Sequence, residues 1–113
     1  MAYVRRYCGP ISLEFSGRYI REYCGPIKYE LDGNYLRQYC GPILYEINGD
    51  QVRRYCGPIL LELSGRYLRR YCGPIIAEIT DNKIRDYCGP IRYEVDGFIS
   101  HHELMALLTL LYA

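Results

Sequence analysis

Several things are missing from this chain, and each absence narrows what it can be. Long apolar runs are missing: the longest, within Glu103 to Ala113, is far too short to cross a bilayer. The N-terminal MAYVRRYCGP holds no apolar stretch that would serve as a signal peptide. No sign of charge dominates, since 14 Lys+Arg against 13 Asp+Glu leave a net +1. Such a chain has no global field to draw in nucleic acid or an anionic membrane. Tryptophan is absent, and the 2 histidines, His101 and His102, are adjacent. Neighbours at the start of a helix diverge around it, so they make no metal pair and are expected to face solvent. There is no C-x-x-C, which zinc loops need, and no P-loop, dinucleotide fingerprint or nucleophile–base constellation. Asp81, Asp86 and Asp96 belong to no acid/base pair. Thr80 is the single threonine of the repeats, which excludes the flat hydroxyl arrays of ice-binding proteins. These absences predict a cytoplasmic protein with reduced thiols, no cofactor and no enzymatic activity.

What is present is a repeat. The letters YCGPI begin at residues 7, 23, 39, 55, 71 and 87, and repeats outrank other sequence signals. The units are YCGPISLEFSGRYIRE, YCGPIKYELDGNYLRQ, YCGPILYEINGDQVRR, YCGPILLELSGRYLRR, YCGPIIAEITDNKIRD and YCGPIRYEVDGFISHH. A half unit, AYVRRY, precedes them, and ELMALLTLLYA follows. Half the residues (50%) are hydrophobic and 24% are charged, a globular composition. The 14 tyrosines point to a repeated position on a pleated, half-buried surface.

All 11 glycines fall at two places in the unit. One follows Ser, Asp or Asn, as in Asp32-Gly33 and Asn48-Gly49, and reads as a type I′ hairpin turn. Unit five offers Asp81-Asn82 there instead, and both residues tolerate positive φ. The other glycine lies in Tyr-Cys-Gly-Pro. Proline has no N–H to close a two-residue turn, so a four-residue loop is expected, closed by residues such as Glu22 and Ile27. Between turns the residues alternate with strand periodicity: Ile11, Leu13 and Phe15 to one face, Ser12 and Glu14 to the other. Each unit is a hairpin.

Hairpins of this kind build either an antiparallel meander of about twelve short strands or a β-solenoid of 16-residue coils. A solenoid would stack Glu14, Glu30, Glu46, Glu62, Glu78 and Glu94 into a like-charge ladder, which is destabilising. The meander places Tyr19 between Glu14 and Glu30 with Arg21 diagonal to both, and it gathers Leu13, Ile20, Tyr29 and Leu36 into an apolar row on the other face. We therefore expect an all-β meander over residues 1–97, followed by a C-terminal capping α-helix over residues 98–113. Ser100-His101-His102-Glu103 forms a capping box, with Ile99 and Leu104 as the hydrophobic staple. The helix is apolar almost all round and needs burial. The half unit Tyr3 to Tyr7 would be an open edge unless it is paired or guarded by Arg5 and Arg6.

The pattern in LDGNYLR (31–37) and INGDQVR (47–53) resembles the short tandem β-repeats of many uncharacterised bacterial proteins. The resemblance covers nearly all of the chain before Phe98. It implies hairpins, and it implies no catalytic residue.

Three sets of residues are candidates for function. Cys8, Cys24, Cys40, Cys56, Cys72 and Cys88 could form a thiol array for metal or redox chemistry, though the spacing is equally that of a copied turn residue. In a meander they sit two strands apart, roughly 9–10 Å, beyond the reach of a disulfide. Tyr19, Arg21, Tyr35, Arg37, Arg53, Tyr67, Arg69 and Arg85 form an interaction face; it could stack single-stranded nucleic acid, but a glutamate in every unit opposes that. Leu104, Leu107, Leu108 and Leu111 would cap the sheet or join subunits. The expected function is a structural or protein-interaction module. It is expected to self-associate through an apolar face larger than one helix can cover, through the helix or through the N-terminal edge, with a second copy or another protein as partner and no membrane.

Overall fold

In the computed structural model, which describes residues 2–112, those residues form twelve antiparallel strands and one helix. The strands are β1 (Ala2–Arg6), β2 (Ile11–Ser16), β3 (Tyr19–Glu22), β4 (Ile27–Asp32), β5 (Tyr35–Gln38), β6 (Ile43–Asn48), β7 (Gln51–Arg54), β8 (Ile59–Ser64), β9 (Tyr67–Arg70), β10 (Ile75–Thr80), β11 (Lys83–Asp86) and β12 (Ile91–Gly97). The helix α1 spans His101–Tyr112. Each strand pairs with its neighbours in the chain, and β1 pairs with β12, so the sheet closes into a barrel. The ends of the expected ranges, Met1 and Ala113, lie outside the described residues.

Closure follows from how the repeats are cut. The sixth unit has only its outgoing strand, β12, because Phe98 to His102 turns into the helix. The half unit at the N-terminus supplies the missing returning strand. Val4 stands opposite Val95 on one side and Leu13 on the other, and Tyr7 N–H donates to the Arg92 carbonyl at 2.9 Å. The edge expected at Tyr3 to Tyr7 is therefore paired, and neither flank of the sheet is left to recruit a foreign strand.

The ring measures 37 × 36 × 17 Å. Six copies around an axis give equal transverse dimensions, so the axis runs along the short one. All the Tyr-Cys-Gly-Pro corners lie on one rim and all the glycine turns on the other, because every strand runs from rim to rim. Eight strands suffice to fill a barrel with side chains, and about sixteen leave a channel; twelve leave a lumen that side chains alone cannot fill. The helix fills it. Met105, Ala106, Leu107 and Leu108 have no exposed surface and join Phe15, Ile20, Leu36, Ile47, Leu61 and Leu68 in one core. About 18 Å long at 1.5 Å per residue, α1 matches the 17 Å depth of the disc. It starts at the glycine rim and ends with Tyr112 beside Asp86, Arg92 and Tyr93, next to the corners. The one buried polar side chain among its middle turns, Thr109, donates to the Met105 carbonyl at 2.7 Å.

This closure corrects the expected route to self-association. The apolar face is the wall of the lumen, covered within one chain. Leu107 and Leu108 are wholly buried there, and Leu104 and Leu111 pack half-buried against the same core. The capping box is present: Ser100 N–H donates to Glu103 at 2.9 Å, and Glu103 N–H donates to Ser100 Oγ at 3.2 Å. The histidines stand in the first turn of the helix, His101 exposed and His102 half-buried, and both also touch the glycine rim. His102 Nε2 lies 2.6 Å from the Gly33 carbonyl oxygen, and His101 Nε2 lies 2.8 Å from Asp50.

Candidate functional site: the corner rim

The glycine turns sit one residue further along the chain than a type I′ reading of Asn48-Gly49 places them. Asn48 pairs with Gln51, which makes Gly49-Asp50 the central pair. Only the first of these has positive φ, +61° at Gly49. That is the sign pattern of a type II′ turn with glycine first, equally compatible with strand twist. In unit five Asp81 takes the same conformation at φ 53°. Shifting the turn by one residue shifts the facing pairs as well. Glu14 faces Arg21 directly, and Tyr19 pairs with Ser16 and Glu30, so it does not lie between two glutamates.

At the corners cysteine and glycine meet two different demands of the turn. The left-handed residue is the cysteine, with φ between 55° and 57° at all six corners. Gly41 N–H closes the turn on the Gln38 carbonyl at 2.9 Å, and Gln38 N–H reaches past it to the Pro42 carbonyl at 3.2 Å. A negative φ at Tyr39 followed by a positive φ at Cys40 is the sign pattern of a type II turn, whose third place usually goes to glycine. The glycine that follows is required for a different reason. A Cβ on Gly57 would sit 2.9 Å from the Arg54 Cβ.

Each corner also carries a bulge. Ile20 faces Tyr29, yet Arg21 faces Ile27, so two residues of β4 answer one of β3. The same slip recurs at Leu36/Arg37, Val52/Arg53 and Ile84/Arg85. Bulges at barrel rims re-aim side chains, and these change the face of two positions. The isoleucine of YCGPI, expected on the apolar side, stands opposite an arginine. Where the residue after it is apolar, as at Leu60 and Ile76, it packs against the core, whereas Ser12, Lys28 and Arg92 at the same place are exposed.

The arginines of the expected interaction face serve the corners. Arg37 Nε and Nη2 both donate to the Gly41 carbonyl, at 3.2 and 2.9 Å. Arg21, Arg53, Arg69 and Arg85 fork in the same way onto Gly25, Gly57, Gly73 and Gly89. Their other neighbour across the strands is a glutamate, as in Glu30 opposite Arg37. These guanidinium groups thus spend two donors each on a corner carbonyl, with a carboxylate alongside. The tyrosines of that face form the base of a stack. Tyr19 meets Tyr39 edge-on at 5.8 Å, and Tyr35 meets Tyr55 at 5.7 Å. Tyr3–Tyr23 and Tyr67–Tyr87 repeat the geometry. Gln51 and Lys83 interrupt it.

What remains open to solvent on this rim is therefore the corner itself. Tyr7, Tyr23, Tyr39, Tyr55, Tyr71 and Tyr87 each expose 45–47% of their surface, and all six cysteines are exposed free thiols. Among the described residues no three His, Cys, Asp or Glu come together as a metal site. The phenols of Tyr23, Tyr39, Tyr55 and Tyr87 are held above their ordinary value, chiefly by the charge of the cysteine that follows each. Sequence reasoning passed over these corner tyrosines because YCGPI reads as a turn. Their signal was their identity in every copy, at the one place where a tyrosine has no strand to serve.

Comparison with family models, curated proteins and solved structures finds no match for this chain. No helix among the described residues is long and apolar enough to cross a membrane. The outward wall of the barrel carries a facing Glu–Arg pair in each of the six hairpins, with a Tyr beside it in all but the third and fifth, where a lipid-facing barrel needs an apolar band.

Proposed function

We propose that this chain is a structural module that works by presenting its corner rim to protein, a second copy of itself included, and that it carries no catalysis. The observation behind this reading is the set of six tyrosines exposed to the same degree on one rim. Tyrosine is enriched at protein interfaces, and its large ring is ordered at low entropic cost. The apolar wall is occupied by α1, so the rim offers the repeated aromatic surface that remains. Light scattering coupled to size exclusion, in reducing buffer over a hundredfold dilution, tests it. The native chain should assemble, and Tyr39→Ser/Tyr55→Ser/Tyr71→Ser should weaken assembly while Phe98→Ser, on the other rim, should not. A monomer at every concentration, or sensitivity only to Phe98→Ser, would overturn the reading.

A second reading, a thiol array for soft metal or redox chemistry, is supported by the exposure of all six free cysteines. Titration with zinc or cadmium, followed by thiolate–metal absorbance against an alkylated control, tests it. Absence of uptake at stoichiometric metal would discard it.

A further inference from the structure

We infer that two rings associate corner to corner about a two-fold axis, with the first corner of each against the sixth of the other, the second against the fifth and the third against the fourth. This inference rests on the rim being the contact surface, and it adds the partner and the geometry.

Size permits the contact. A disc of 37 × 36 Å presents a face of roughly 1,000 Å², against about 800 Å² per partner for a stable interface. Symmetry aligns it. A two-fold axis between facing rims reverses the order of the corners, and regular spacing lets all six meet at once; six registers are possible.

Charge selects among them. The residues that precede the corner tyrosines are, in ring order, Arg6, Glu22, Gln38, Arg54, Arg70 and Asp86, all exposed or half-buried. Lys28 already holds Glu22 at 3.2 Å, and Arg92 holds Asp86 at 2.9 Å, so the second and sixth corners are near neutral and the three arginines dominate. In the three registers whose axis passes through corners, Arg6 or Arg70 meets its own copy or the two meet each other. In two of the remaining three, Arg54 faces Arg70 or Arg6 faces Arg54. The last sets Arg6 against Asp86, Glu22 against Arg70 and Gln38 against Arg54. Isologous contacts repeat every pair twice, so a like-charge facing would count double, whereas this register has none.

The exposed thiols report the register. Chains at natural abundance are mixed with ¹⁵N-labelled chains and equilibrated with reduced and oxidised glutathione. Two facing cysteines lose two protons and two electrons to glutathione disulfide, which leaves as two glutathione thiols. Peptide mapping by mass spectrometry should find heavy–light disulfides Cys8–Cys88, Cys24–Cys72 and Cys40–Cys56. In parallel, Glu22→Arg should weaken dimerisation in reducing buffer by at least about tenfold, and Glu22→Arg/Arg70→Glu should restore it. Heavy–light pairs in another register, glutathione adducts alone, or an indifferent Glu22→Arg would overturn the inference. If assembly persists with other pairs, the register fails while the rim reading stands; a monomer throughout ends both.

Discussion

Val4 faces Val95 across the seam that joins the first strand to the last, and the two retain 0% and 4% of their exposure. One half repeat at each end of the array thus completes a single unit. Deleting residues 1–6 should leave β2 and β12 as bare edges and open the lumen to water. We expect loss of a cooperative thermal transition and onset of aggregation. A peptide of residues 1–7 supplied in trans should restore the transition by strand addition. A truncated chain that melts like the native one would show that the seam contributes nothing.

The helix is the inner half of the core. Leu107→Ala should cost about 2–5 kcal/mol by urea denaturation, since a wholly buried leucine leaves a cavity. Phe98→Ala, at 82% exposure, should stay within about 0.5 kcal/mol of the native chain.

At the corners the residue with positive φ and the residue with no room for a Cβ are neighbours. Cys56 at φ 56° bears the left-handed strain, and Cys56→Gly should stabilise the chain by up to about 1 kcal/mol per corner. Gly57→Ala should do the reverse, because its Cβ would sit 2.9 Å from that of Arg54. Denaturant midpoints of the two single variants check the pair, and equal effects of one sign would contradict the assignment.

Alkali should loosen the ring. Tyr23, Tyr39, Tyr55 and Tyr87 are held above the ordinary value of 10.0. The folded state therefore keeps protons that the unfolded chain releases. This stabilisation is whole below pH 10 and is lost as pH rises through the folded-state value. The adjacent cysteine is the principal cause, and a thiol ionises before a phenol does. Cys24→Ser should then bring the Tyr23 phenol back toward 10, read from tyrosinate absorbance; an unchanged titration would assign the cause elsewhere.

Twelve strands, their hairpin connections, the capping box and the need to bury α1 were legible because each rests on a local pattern: alternation, Asx-Gly turns and apolar continuity. Register was less legible. Glu14 faces Arg21 rather than Tyr19 because glycine took the first central place of its turn, and both places suit the residue. The bulges hid as well. YCGPI reads as a corner that returns Ile27 to the core, yet one extra residue on β4 sends Ile27 opposite Arg21. The role of Cys24 was concealed by the glycine beside it.

The sequence by itself determined the element set, since turn chemistry and strand periodicity act between near neighbours. Only the tertiary structure decided that Ala2–Arg6 completes the sixth hairpin, that the apolar row becomes a lumen and that the helix becomes its filling. Those outcomes depend on accumulated twist, which brings β12 round to β1, and on a circumference too wide for side chains alone to fill. Closure also decided which surface was left over: with the wall turned inward and the arginines bound to the corner carbonyls, tyrosines and thiols remained on one rim.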